Sequence, residues 1–244
     1  AVGVLALALV MLRDGRLAAG VAALLAIAGL VTGPGVDNLW LGQVGFFLAF
    51  TLCLTFVLAA TGRQASAGVF LALAVLMKLY PVILAGYFLR RGQGRVVAWM
   101  TATLVALGLA AGVDWGFSHY ARFLDWSAQA GYRSVLSNQS LMGLLALALG
   151  EQAVTILKVL NALLLVAAVA ALAKAGARWG GPTREQQLLE FSAWVLVSTV
   201  LAPLSWAHHH LVLVLPLLGF AAVAAHRPRH QVLGLAGVAL VCLA

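Results

Sequence analysis

The chain has 244 residues, 64% of them hydrophobic and 9% charged, with a formal net charge of +8. So much apolar surface exceeds what a soluble domain can bury, and the apolar runs are continuous rather than alternating, which argues against a soluble fold and against a closed β-barrel. What remains is an all-α polytopic membrane protein, a single transmembrane domain over residues 1–244 with about eight or nine membrane segments.

Residues 1–12 form a short apolar segment that ends at the basic turn Arg13-Asp14-Gly15-Arg16. The first residues, Ala1 to Leu5, have neither an initiator Met nor a basic leader, so they do not read as a signal peptide. Because the sequence opens and closes inside apolar runs, it reads as an internal portion of a longer protein. Residues 17–33 make a second span, closed by Gly33-Pro34-Gly35, a strong helix stop. The loop that follows, about 34–43, carries no positive charge and is assigned to the external side. Residues 44–61 return to the cytoplasmic side at Gly62-Arg63.

Residues 67–89 are long enough to cross once, yet both flanks are basic, with Arg63 before them and Arg90, Arg91 and Arg95 after. Lys78 and Pro81 interrupt the middle. Pro removes a backbone donor, and a cation at membrane depth seeks water or an anion. Two readings fit: a pair of half-helices that enter and return on one side with Lys78 near the tip, or one kinked span.

Residues 96–113 cross outward. The polar stretch 114–140 contains Asp114, Trp115, His119, Tyr120, Arg122, Asp125 and Trp126. It reads as an external loop, with room for an interfacial helix because aromatic side chains favour the headgroup zone. A shorter apolar piece covers 141–150, and 154–173 leads back inside, with Lys158 able to snorkel. Residues 174–187 form a cytoplasmic loop, 188–207 cross outward and 208–225 cross back, which leaves a third external loop around 206–210.

This order puts five basic clusters on the cytoplasmic side: Arg13/Arg16, Arg63, Arg90/Arg91/Arg95, Lys174/Arg178/Arg184 and Arg227/Arg229. They account for the positive charge by the positive-inside rule and reach anionic headgroups, so no nucleic-acid partner is expected. Cys53 and Cys242 both fall in apolar runs and indicate no disulfide framework.

Four patches carry possible chemistry. The first is Pro203-Leu204-Ser205-Trp206-Ala207-His208-His209-His210, midway along the apolar run 188–225. Successive helical residues are about 100° apart, so three adjacent His cannot all face one metal ion. One imidazole acting as acid, base or phosphate donor is the functional reading; interfacial His residues capping a turn are the other. The second patch is Lys78-Leu79-Tyr80-Pro81, where the cation either partners a phosphate or snorkels from a broken helix. Asn138-Gln139-Ser140 and the group Asn38, Gly42 and Gln43 supply amides that suit sugar hydroxyls and also cap helices. The external carboxylates are Asp37, Asp114, Asp125 and Glu151, and nothing local distinguishes one as a base. Phosphate-loop, dinucleotide-fold and nucleophile-elbow patterns are absent, so any reaction would use lipid-borne substrates.

Taken together, Gly42-Gln43-Val44, Ala67-Gly68, Lys78-Leu79-Tyr80-Pro81, Arg90-Arg91, Asn138-Gln139-Ser140-Leu141 and Pro203-Leu204-Ser205-Trp206-Ala207-His208-His209 resemble glycosyltransferase family 87. The resemblance implies a GT-C-like helical bundle in the bacterial plasma membrane, multi-pass. It implies transfer of a hexose, mannose being the expected sugar, from a polyprenyl-phosphate donor to a lipid or glycan acceptor on the extracytoplasmic face. Inversion without a metal is the usual GT-C description, with an Asp in the first external loop as base; that loop is expected before residue 1. On this resemblance His208 and His209 are the expected catalytic residues. Lys78, Gln43, Asn138, Gln139, Trp206 and Asp37 are the expected substrate contacts. No cofactor is implied beyond the polyprenyl-phosphate sugar, and the expected partners are membrane lipid, this donor and the acceptor. His210 is an addition to the family pattern. After Asn-Gln-Ser-Leu, relatives often carry an Arg where this chain has Gly143, Leu144 and Leu145, which counts against phosphate binding there. The competing class is a non-catalytic transporter of lipid-linked or small solutes, although only one broken segment is found where transporters usually pair them.

Overall fold

The computed structural model describes residues 39–130, 140–150, 154–179 and 183–202, with Val36, Val212, Leu213, Leu215 and Pro216. All elements among them are helical. Helix α1 (Gly45–Ala60) buries Leu48, Leu52, Cys53 and Phe56. Its buried hydroxyls are satisfied within the helix: Thr51 donates to the Leu48 carbonyl at 2.9 Å and Thr55 to that of Thr51 at 2.8 Å. The helix closes on Gly62, whose φ of 81° is left-handed. The Gly62 amide bonds to Ala59 O and the Arg63 amide to Leu58 O, the paired bonds of a Schellman stop.

The chain reverses there into α2 (Gln64–Met77), which packs antiparallel to α1. The helix ends because of Pro81: continuing it would set the proline ring against the Met77 carbonyl and leave that carbonyl unbonded. Lys78 turns extended instead, at φ −149° and ψ 135°. A 3-10 turn (Tyr80–Ile83) with Pro81 in its first turn leads into the short α3 (Leu84–Arg90). A second Schellman stop follows, with Gly92 at φ 69°, Gly92 N bonded to Leu89 O and Gln93 N to Phe88 O.

Helix α4 (Gly94–Trp115) then packs along α2. A Cβ on Gly68, in the first half of α2, would lie 2.4 Å from the Val96 carbonyl oxygen and 2.6 Å from Trp99 Cβ. The beginnings of α2 and α4 are therefore side by side, and the helices run parallel. Both ends of segment 67–89 therefore lie at one end of the bundle, the arrangement that two half-helices would give. Extending that register along both helices puts Lys78 about two thirds of the way along α4.

The polar stretch after residue 114, read as a loop with room for an interfacial helix, contains a helix, α5 (Ser118–Ala130). Tyr120 donates to the Gly108 carbonyl at 2.6 Å, and the Phe117 ring covers Gly112, where a Cβ would come within 2.4 Å of it. Two glycines one turn apart thus form a notch in α4 that seats the start of α5. Helix α6 (Leu141–Leu149) packs Met142 and Ala146 against Leu157 of α7 (Val154–Trp179). Helix α7 continues past the expected end at 173, carrying Lys174 on a helix rather than in a loop, because the Ala-rich run to Trp179 contains no proline and its alanines outweigh the one glycine, Gly176. Helix α8 (Arg184–Val200) starts before the expected 188, fixed by a Thr183–Gln186 capping box. It stops at Val200, short of the expected 207, in keeping with the bias against helix at the residue before Pro203.

The core gathers α1, α2, α3 and α8 around Phe56, Tyr87, Phe88, Phe191 and Trp194. Tyr87 meets Phe88 and Phe191 edge-on, with ring centroids 4.9 and 5.3 Å apart. Helices α4 and α7 are long and apolar enough to cross a bilayer. Their outer faces leave Val105, Leu109, Val113, Leu163 and Val166 exposed, an arrangement suited to lipid and costly in water.

Candidate active site

The returning limb, from Tyr80 through Arg91, lies antiparallel along α8 and meets it at successive levels. At the tip, the Tyr80 hydroxyl faces Thr199. Thr199 itself donates to the Val195 carbonyl at 2.9 Å. Midway, Gly86 lies directly against the six-membered ring of the Trp194 indole. The Tyr87 side chain reaches further toward the start of α8 and donates to the Gln187 carbonyl at 3.3 Å. At the base, Glu190, 2% exposed, takes Arg90 on one carboxylate oxygen and Arg91 on the other, the latter at 3.1 Å. A Cβ on Gly176 would sit 2.6 Å from Arg90 Cζ and 2.7 Å from Glu190 Oε1, so α7 closes over this ion triplet only because residue 176 is glycine.

These contacts orient the bundle. Arg63, Arg90, Arg91 and Arg95 share one end with the C-terminal part of α7 and the start of α8. Lys78 lies away from that end. It is half-buried where the backbone is extended, at the junction of α2 with the 3-10 turn. Gln43, also half-buried, precedes α1 just after Gly42, whose φ is 60°. Since α1 and α2 form a tight antiparallel hairpin, Gln43 and Lys78 belong to the same end of it.

At that end α8 gives way to Leu201 and Ala202. The Asn161 side chain of α7 donates to the Leu201 carbonyl at 3.2 Å and thereby caps an open helix end. Beyond the patch, Val212 and Leu215 are buried in the core, and Ser192 of α8 donates to the Leu215 carbonyl at 3.2 Å. The chain is thus tied to the bundle on both sides of residues 203–210. Those residues, including Trp206, His208 and His209, lie outside the described residues, as do Asp37, Asn138, Gln139 and Glu151. Ser140 is described and buried, and its hydroxyl accepts the Gly143 amide at 2.9 Å as the cap of α6. Asp114 and Asp125 are exposed.

Of the expected substrate contacts, then, Lys78 and Gln43 occupy one end of the bundle. Sequence reasoning passed over Thr199, Trp194 and Glu190. The signal available for Glu190 was its position as an acid just inside the apolar run 188–225, where an unpaired charge is untenable.

The model of glycosyltransferase family 87 matches residues 1–205. A polyprenol-phosphate-mannose-dependent alpha-(1-2)-phosphatidylinositol mannoside mannosyltransferase of Mycolicibacterium smegmatis is 31% identical over 217 residues, which is 85% of this chain and 48% of that protein. The like-named protein of Mycobacterium tuberculosis is 31% identical over 188 residues, covering 71% of this chain and 41% of the relative. The chain therefore spans about half the length of the curated relatives it matches. No solved structure matches. With the family model matched across most of its length, on an all-helical frame whose broken helix carries Lys78, the chain belongs to glycosyltransferase family 87.

Proposed function

We propose that the full-length protein is a multi-pass glycosyltransferase of a bacterial plasma membrane. It moves a hexose, mannose on the names of its relatives, from a polyprenyl-phosphate donor to a lipid or glycan acceptor on the extracytoplasmic face. Those names favour a phosphatidylinositol mannoside as the acceptor. The observation that carries the reading is the packing of the 3-10 turn Tyr80–Ile83 against α8. It ties the tip bearing Lys78 to the last turn of α8, and the chain runs from there through Pro203 to His208 and His209.

In this reading the acceptor hydroxyl attacks the anomeric carbon, the bond from that carbon to the phosphate oxygen breaks, and polyprenyl phosphate leaves with the electron pair. Lys78 and one of His208 or His209 meet the charge that grows on the leaving phosphate, where fixed donors in a water-poor site act most strongly. Gln43, Asn138, Gln139, Trp206 and Asp37 line the sugar and acceptor path. A carboxylate, or less favourably an imidazole, takes the hydroxyl proton. Neither metal nor further cofactor enters.

The test uses membranes from cells expressing the full-length gene, supplied with radiolabelled polyprenyl-phosphate mannose. Label should pass to the lipid fraction, and His208→Ala or His209→Ala should abolish transfer at unchanged expression. Wild-type turnover in both variants removes the imidazoles from the mechanism. Uptake of the lipid-linked sugar without transfer replaces the enzyme by a transporter.

A further inference from the structure

We infer that Glu190 is a positioning residue for sugar transfer: by pairing with Arg90 and Arg91 it fastens the base of the returning limb to α8 and so holds Lys78 at its working place. This rests on the transferase reading above, and it assigns a role to a residue far from the reacting atoms. Glu190 sits at the basic end of the bundle and Lys78 beyond the opposite end of the limb.

Three observations carry it. First, the limb has little of its own to hold it. Helix α3 is seven residues long, its 3-10 turn four, and between them and α2 the chain passes through an extended Lys78. So short a helix has no independent stability and takes its place from its neighbours. Second, the attachment is specific. Both Glu190 oxygens are used, one by each Arg, and Gly176 is bare so that α7 can seal the triplet. Third, Arg91–Glu190 and Gly86–Trp194 step along α8 in one register, and the 3-10 turn of the tip packs on α8 beyond them. A shift at the base is passed along the limb to the tip.

Charge explains why the acid matters. Two guanidiniums converge on a single carboxylate. Neutralising Glu190 leaves two like charges crowded at the end of α3, with burial limiting the water that could screen them. The base is then driven off α8 and the tip loses its reference. Lys78 need move by only about 1 Å to lower the rate, since misplacement on that scale costs on the order of 100-fold.

The experiment compares wild type with Glu190→Gln and Glu190→Asp in the full-length protein, reconstituted in nanodiscs. A spin-label pair replaces Leu79, at the tip, and Val200, at the end of α8; both side chains are exposed. In wild type the distance distribution should be narrow. Glu190→Gln should broaden it and lower kcat for mannose transfer by about 10- to 100-fold, with acceptor KM within about twofold of wild type. Glu190→Asp, which keeps the charge, should restore most of both. Loss of kcat with an unchanged distance distribution, or a wild-type kcat in Glu190→Gln, overturns the proposal. If Glu190→Gln does not fold, Arg91→Lys takes its place: it keeps the charge but loses the planar fork, and should broaden the distribution in part. A wild-type distribution there again overturns the proposal. If wild type itself transfers no mannose, the transferase reading fails, and the distance distribution alone decides whether Glu190 holds the limb.

Discussion

Gly86 of α3 and Trp194 of α8 meet so closely that a Cβ on the glycine would lie 2.7 Å from the indole carbon Cζ3. Trp194 is fully buried and cannot retreat. Gly86→Ala should therefore destabilise the purified protein by about 1–3 kcal/mol, the usual range for overpacking a core. Thermal unfolding in detergent measures this. Trp194→Phe in the same background should recover part of the loss, because the smaller ring leaves space for the added methyl.

The parallel packing of α2 and α4 makes a claim about sidedness. Gln64 opens α2 and Gln93 immediately precedes α4, and the two stand at the same end of the bundle. In a background with Cys53 and Cys242 replaced, cysteines at 64 and 93 should both resist a membrane-impermeant maleimide in intact cells and both react once the membrane is opened. Labelling of the two positions from opposite sides would mean that 67–89 crosses.

Lys78 supplies the cation at the tip. Lys78→Met should lower kcat/KM for the polyprenyl-phosphate donor by about 100-fold or more, the scale seen when one donor to a developing oxyanion is removed. Lys78→Arg should retain part of the activity, since charge persists although the shape of the head group changes. Steady-state transfer at varied donor concentration separates the two. Equal activity in all three proteins would move the phosphate contact elsewhere.

Helix α5 has two unlike sides. Tyr120, Phe123 and Leu124 share one face by helical spacing, while Ser118, Arg122 and Asp125 share the other. All six are exposed. A helix of this kind belongs in the plane of the headgroups. Nitroxides at 123 and 124 should be relaxed by oxygen and shielded from a water-soluble nickel complex, with the reverse at 122 and 125. Equal nickel access all round would place α5 in bulk water.

Much of this arrangement was legible in the residues, and the parts that were not have a common cause. Pro81 announced the broken helix because its missing N–H and its ring act locally, on Met77 and Lys78. The basic clusters announced which turns share a side, and Gly62 and Gly92 mark two of those turns. The choice between a returning limb and a kinked span stayed open because it depends on Gly68 meeting Val96, a contact that no local pattern encodes. Glu190 was missed for the same reason. Its partners lie 99 and 100 residues away, and a single acid near a basic loop resembles any solvated charge. The end of α8 was placed too late because apolar composition continues through Ala202 to Trp206, whereas the helix stops at Val200, before Pro203. At the site, the sequence singled out Lys78 but not Thr199, whose value to Tyr80 comes only from adjacency in space.

The spacing within the ion triplet also bears on how the protein is made. Arg90 and Arg91 leave the ribosome about a hundred residues before Glu190 does. Until α8 is synthesised, the returning limb has both arginines but not the carboxylate that seats them, and the glycine face of α7 that covers the triplet is also still to come. The returning limb is therefore synthesised well before the residues that hold its base. The contact that fastens its base can form only once α7 has supplied Gly176 and α8 the carboxylate of Glu190.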